Sequence, residues 1–346
     1  MTEVPAFPDF TPVNLLTGFL GSGKTTLLQR LLADPQLSDC AVLINEFGEV
    51  GLDHHLLERI DETMVLLQSG CVCCTIRGEL SDAIKDLHER RARGAIPPFR
   101  RLVIESTGLA DPFPILSTVH ADPVLRHHFR LGNVIATVDA VNAAHQLGTQ
   151  EECAHQIAVA DRLILTKTDL AATDAVKLLL ARIRTINPAA PLWHAAETPP
   201  GAEDLLSQDD TALHHDAPPS VSHPHPHTHG HSDINAFALA FDAPLDWTLF
   251  GIWLTMLLNR HGERILRVKG ILNIEGSDVP VAIHGVQHLV HPPVHMRAWP
   301  DADRQSRLVF IVKGLERNLI ARSLRAFGLG GATSITADEA HVVASH

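Results

Sequence analysis

Long apolar runs, positive charge and cysteine are all scarce in this chain of 346 residues, and each shortage removes a class of protein. No run of 18 or more apolar residues occurs, so the sequence predicts no membrane-spanning helix. The N-terminus, MTEVPAFPDFTP, lacks a basic region followed by an apolar core, which argues against a secretory signal and for the cytoplasm. Lys and Arg number 28 against 40 Asp and Glu, a net charge of −12. A chain this short of cations is poorly equipped to neutralise nucleic-acid phosphates. There are 5 cysteines, and three of them stand at 71, 73 and 74. Neighbours so close cannot build a disulfide framework. In a reducing compartment such a cluster suits metal binding or redox chemistry.

What the chain does have is apolar content, 45% of its residues, and a length that fits about two domains. Apolar runs at 11–17, 41–44, 64–67, 101–105, 133–138 and 162–166 read as strands, and 24–33, 78–91 and 173–184 read as helices. Strands alternating with helices predict an α/β fold with a mainly parallel sheet covered on both faces. The pattern breaks near 198, where a stretch rich in Pro, Asp, Ser and His begins. Such a composition cannot build a core and reads as a linker. Beyond it, strands are expected at 237–246, 265–274, 281–291 and 307–312, with helices at 246–259 and 315–327. The expected organisation is a domain over 1–197, which GFLGSGKT at 18–25 marks as a P-loop NTPase domain, a His-rich linker over 198–233 and a smaller α+β domain over 234–346.

The sharpest motif is GFLGSGKT at 18–25, which matches G-x-x-x-x-G-K-[ST] between an apolar strand and a helix. Glycines let backbone N–H groups turn inward around phosphate oxygens, and the helix N-terminus adds partial positive charge. Lys24 is then placed to reach the β- and γ-phosphates and the Thr25 hydroxyl to hold Mg²⁺. Glu105, at the end of RLVIE, is the candidate metal-orienting acid, and Gly108 beyond it offers a backbone N–H. In TKTD, Lys167 and Asp169 follow a strand; a carboxylate there accepts the two N–H donors of guanine, which adenine lacks, so GTP is favoured over ATP. Thr166 stands where Asn usually precedes the Lys. Between these motifs, INEFGEVGLDHH carries Glu46, Glu49 and Asp53, and Glu46 can ligate a metal or orient water. GCVCC at 70–74 supplies three thiols from one loop, suited to Zn²⁺ or Co²⁺ with a fourth position open. HPHPHTHGH at 223–231, with His214 and His215 upstream, is a candidate reservoir for the same ions.

In order, GFLGSGKTT, INEFGEVGLD, GCVCC, ESTGLADP and TKTD resemble the CobW-like metallochaperone GTPases, relatives of the HypB and UreG nickel chaperones. The likeness covers 11–190, and RVKGIL, VQHLVH and RLVFIVKGL resemble the CobW C-terminal domain. The resemblance implies a GTPase in which GTP and Mg²⁺ order a Cys-x-Cys-Cys metal site and hydrolysis releases the ion to a client protein. Carried over, Cys71, Cys73 and Cys74 ligate the metal; Gly21, Ser22, Gly23, Lys24, Thr25 and Thr26 bind phosphate; Glu105 stands near Mg²⁺; Lys167 and Asp169 meet guanine. Zn²⁺ leads Co²⁺ as the cargo, with a cobalt chaperone as the alternative. A nucleotide-bound metal store or sensor without turnover, and an ATP-driven assembly factor without metal cargo, stay open. The implied partners are GTP, a transition-metal ion and a metal-requiring client, with a homodimer also open, and neither nucleic acid nor membrane.

Overall fold

The computed structural model describes residues 10–37, 39–47, 64–69, 75–207 and 233–329. Cys71, Cys73, Cys74, Glu49, Asp53 and the histidine tract lie outside the described residues. The chain divides into two compact units, one drawn from 1–180 and 190–208 and the other from 181–189 and 209–346.

The first unit is built on seven strands: β1 (Thr11–Gly18), β2 (Cys40–Phe47), β3 (Met64–Ser69), β4 (Arg101–Glu105), β5 (Phe129–Asp139), β6 (Arg162–Thr166) and β7 (Leu192–His194). They lie in the order β3-β2-β4-β1-β5-β6-β7, and every pairing is parallel. Apolar side chains fill both faces, which is why these strands read as continuous hydrophobic runs rather than alternating ones. The intervening helices are α1 (Lys24–Leu32), α2 (Thr75–Ala92), α3 (Pro112–Ala121), α4 (Pro123–His128), α5 (Ala143–Thr149), α6 (Glu151–Val159), α7 (Thr173–Ile186) and α8 (Ala202–Leu206). Leu27, Leu28 and Leu31 of α1 pack with Leu16, Val42, Val103, Ile135 and Ile164 in one buried cluster.

Two helices absent from the sequence reading, α3 and α4, have a plain local cause. Each begins at an Asp-Pro step. Asp111 accepts a hydrogen bond from the Phe113 N–H, and Asp122 accepts from Val124 and Leu125. The carboxylate satisfies orphan donors of the first turn while proline presets its backbone angle.

The stretch after 198 also departs from expectation. Residues 202–206, read as the start of a linker, form α8, and Ala202, Leu205 and Leu206 join the same buried cluster as α1. Three side chains anchor this segment: Arg30 donates to the Pro200 carbonyl, Asn133 to those of Leu205 and Ser207, and Arg162 to that of Asp204. A polar, proline-rich composition hid two leucines with somewhere to go.

The second unit holds β8 (Ile234–Phe241), α9 (Trp247–His261), β9 (Ile265–Leu272), β10 (Val281–Val286), β11 (Leu289–Val290), β12 (Val294–His295), β13 (Ser306–Lys313) and α10 (Arg317–Ala326). Its sheet runs β11-β10-β9-β13-β8 with antiparallel pairings, and β12 pairs with β10. Phe250 and Trp253 of α9 and Ile320 and Leu324 of α10 pack with Phe310 and Ile283 of the sheet. Residues 281–291, expected as one strand, fold back as the β10–β11 hairpin, with Gly285 opposite Val290. Gln287 takes a left-handed φ of 51° at the turn, a position without the usual Gly or Asn signal. No helix among the described residues is long and apolar enough to cross a membrane.

Replacing Leu205 by Ala should destabilise the first unit by about 2–5 kcal/mol, the cost of emptying a packed core position. Denaturant unfolding measures this; a loss below about 0.5 kcal/mol, the value for an exposed linker residue, would show that α8 is not packed.

Candidate functional site

In a wholly parallel sheet the carboxyl ends of the strands share one edge, and the loops leaving that edge are where ligands bind. Here the edge gathers the loop after β1, Glu46 near the end of β2, Glu105 at the end of β4, Asp139 at the end of β5 and Lys167 just past β6. Strand order does the gathering: β1 lies between β4 and β5, so residues 80 to 120 apart in sequence become neighbours.

The loop from Gly18 to Thr25 turns through left-handed backbone at Gly21 (φ 70°) and Gly23 (φ 93°), where a side chain would strain the chain. Lys24 is buried, 8% exposed, and its ammonium donates to the carbonyls of Gly18 at 2.8 Å and Phe19 at 3.1 Å. Burial pushes its pKa down, and the Glu105 carboxylate pulls it partly back. An ammonium has three donors, so these two bonds leave one N–H and the charge for a ligand. Thr25 donates through its hydroxyl to Glu105 Oε1 at 2.8 Å. A hydroxyl and a carboxylate brought together make an all-oxygen donor pair, the kind a hard cation such as Mg²⁺ prefers. The Ser22 hydroxyl is turned inward, 2.7 Å from that of Thr137, so it braces the loop, while Thr26 is exposed.

Gly108 meets the phosphate loop from the side. A Cβ there would sit 2.6 Å from the Leu20 nitrogen, so only glycine permits this approach. Its carbonyl and that of Ala110 accept hydrogen bonds from Gln156 of α6, both at 3.1 Å.

On the other flank, Lys167 has a left-handed backbone (φ 58°), uncommon for a residue with a side chain. Two bonds hold it: its ammonium donates to the Gly21 carbonyl and to Asp139 Oδ2, each at 2.8 Å. The Thr166 hydroxyl donates to the Ser22 carbonyl. The TKTD motif is therefore tied directly to the phosphate loop, and its Asp169 is exposed. Asp139 was missed in the sequence, although it ends an apolar strand just as Glu105 does. It also accepts from the backbone N–H groups of Val141 and Asn142 and from the Asn142 side chain. Burial works to raise its pKa, but Lys167 and these donors outweigh it, leaving the carboxyl below its ordinary range.

Glu46 lies in β2 beside β4, with Ile44 in register with Glu105; its side chain is outside the described residues. The Cys71–Cys74 segment follows β3 and precedes α2 directly, since β3 ends at Ser69 and α2 begins at Thr75. β3 is three places from β1 in the sheet, a separation of about 14 Å at the usual strand spacing. A chain of contacts also joins the two. The 106–110 loop runs into α3, and Asp122 at the α3–α4 junction accepts from Ser81 at 2.7 Å and Lys85 at 2.6 Å, both on α2. The Lys85 ammonium, and then the Ser81 hydroxyl, hold the Asp122 carboxyl well below the usual carboxylate range. Among the described residues no group of three His, Cys, Asp or Glu could hold a metal ion.

Residues 12–194 match the CobW/HypB/UreG nucleotide-binding domain. The chain belongs to the CobW/HypB/UreG family. Residues 234–328 match the cobalamin synthesis protein cobW C-terminal domain, so the family likeness extends into the second unit. The zinc chaperone YjiA of Escherichia coli is 37% identical over 299 residues, covering 86% of this chain and 93% of its own. The zinc chaperone CobW of Pseudomonas aeruginosa is 31% identical over 354 residues, covering 91% of this chain and 90% of its own. The crystal structure of Zn(II)-bound YjiA GTPase from E. coli superposes with a TM-score of 0.67 at 31% identity, over 92% of this chain and 99% of that one.

Replacing Asp139 by Asn should lower stability at neutral pH by roughly 1–3 kcal/mol, because Lys167 and the loop donors lose a charged acceptor. A carboxyl whose folded pKa is depressed contributes stability above its unfolded value of about 4, and that contribution disappears as pH falls through the folded value. The gap between the two proteins should therefore narrow as pH falls below about 4 in urea titrations. A gap independent of pH would exclude the ion pair as its cause.

Proposed function

We propose that this chain is a GTP-hydrolysing metallochaperone that binds Zn²⁺ at Cys71, Cys73 and Cys74 and passes it to a client protein. The observation that carries the reading is the shared sheet edge: the phosphate loop, Glu105, Lys167 and the strand leading into the cysteines all meet there. The zinc chaperone and Zn(II)-bound GTPase relatives support the cargo.

The geometry supports the following roles. Backbone N–H groups of residues 21–26 and the N-terminus of α1 take the phosphates. Lys24 reaches the β- and γ-phosphates with its remaining N–H. Thr25 and Glu105 would hold Mg²⁺, which when bound neutralises charge on the phosphate oxygens. Asp169 accepts from guanine, and Lys167, pinned by Asp139 and Gly21, lays its aliphatic stem along the base. Glu46, on the strand next to that of Glu105, is the acid assigned in this reading to orient the attacking water or join the metal.

Hydrolysis has a purpose only if the cysteines sense it. Loss of the γ-phosphate removes contacts to the 106–110 loop, and the route through α3, Asp122 and α2 leads to the residue after Cys74. Three thiolates with an open fourth position suit an ion that is loaded and released. The second unit and the histidine tract stand ready for client recognition and ion supply, respectively.

A competitive Zn²⁺ titration tests this. With Mg²⁺ and a GTP analogue the affinity should differ from that with GDP by about 5- to 150-fold, the range of typical coupling energies. Equal affinities would end the coupled reading. Replacing the three cysteines by Ser should abolish the nucleotide-dependent affinity while basal GTP turnover persists, whereas Lys24→Ala should abolish turnover itself. Absence of GTP turnover in the unaltered protein would instead favour a metal store.

A further inference from the structure

Gln156 has no part in the roles above, yet its placement is unusual. It sits in α6 against the 106–110 loop and is 1% exposed. Its amide nitrogen spends both donors on that loop, one on the Gly108 carbonyl and one on the Ala110 carbonyl. Its amide oxygen is buried and accepts no hydrogen bond among the described residues.

The effect on the loop is specific. A trans peptide points its C=O and the next N–H in opposite directions, so holding the Gly108 carbonyl fixes the plane of the Gly108–Leu109 peptide. The preceding plane is fixed too, because the Thr107 carbonyl accepts from the Ala110 N–H at 3.1 Å. The loop is thus held through its carbonyls by Gln156 while Gly108 abuts the Leu20 backbone, leaving no room for a Cβ. Glu105, hydrogen-bonded to Thr25, begins the same segment, and Asp111, the cap of α3, ends it.

Building on the GTPase reading, we propose that Gln156 is a positioning residue that clamps the Gly108–Ala110 backbone against the phosphate loop, so that this loop responds to the terminal phosphate of the nucleotide. GDP presents no such phosphate. The clamp therefore contributes to discrimination between triphosphate and diphosphate and to turnover, and little to diphosphate binding.

The test is to replace Gln156 by Leu and by Glu in the full chain and measure three quantities with Mg²⁺ present. These are the affinity for GDP, the affinity for a non-hydrolysable GTP analogue, and kcat and KM for GTP. Gln156→Leu, which keeps bulk and loses both donors, should bind GDP within about 2-fold of the unaltered protein, with analogue affinity and kcat each down about 10-fold, a loss of roughly 1.4 kcal/mol apiece. Gln156→Glu regains a donor only when protonated, so its kcat deficit should shrink as pH falls toward about 5. A residue that merely supports the fold would weaken GDP and analogue binding together, and that result overturns the proposal, as does an unchanged analogue-to-GDP ratio. If Gln156→Leu does not fold, the pH profile of Gln156→Glu decides alone: a flat deficit overturns it. Loss of GTP turnover in the unaltered protein would overturn the underlying reading itself, which separates the two failures.

Discussion

A buried ammonium sets the terms for the nucleotide-binding unit. Lys24 cannot keep its charge away from water without partners, and it finds them in two carbonyls of its own loop. For those carbonyls to face inward, the loop must turn tightly, which demands glycine where the backbone is left-handed. For the loop to keep that shape, its neighbours must brace it: Thr137 from β5 on Ser22, Thr166 at the end of β6 and Lys167 just past it on the carbonyls of Ser22 and Gly21, and Gly108 against Leu20. The result is a cradle whose positive charge is partly spent on itself and whose remainder is aimed at an anion.

That arrangement makes a local event legible at a distance. The segment that begins at Glu105 and ends at Asp111 touches the phosphate loop at one end and caps α3 at the other. Asp122, five times a hydrogen-bond or ion-pair acceptor at the next helix junction, binds α3 and α4 to α2. Helices and capped junctions transmit displacement because packed interiors do not deform continuously. The cysteine motif enters this frame by covalent connection, between the end of β3 and the start of α2.

Much of the site was legible in the primary sequence, because its parts are local. A phosphate loop is eight consecutive residues whose glycines and lysine act through their own backbone and side chain. Glu105 and Lys167 were visible as polar residues ending apolar strands, and the same signal marked Asp139, which was passed over for want of a motif. Gln156 carried no signal at all: inside a helix, a glutamine reads as a solvated residue until its two donors are seen on carbonyls 46 and 48 residues away. The Asp-Pro caps of α3 and α4 were local and readable; the packing of Leu205 was neither, since composition around it spoke for a linker.

The sequence by itself determined the alternation of strands and helices, the phosphate loop, the TKTD motif and the three thiols, since each depends on spacing along the chain. Tertiary structure alone decided strand order, and with it that Glu105, Asp139 and Lys167 flank one loop. It also decided that Ser22 braces the loop by its hydroxyl and that Gln156 faces the 106–110 loop. The physical reason is the same in each case: a parallel sheet assembles neighbours through crossover connections, so contacts between strand ends have no counterpart in sequence distance.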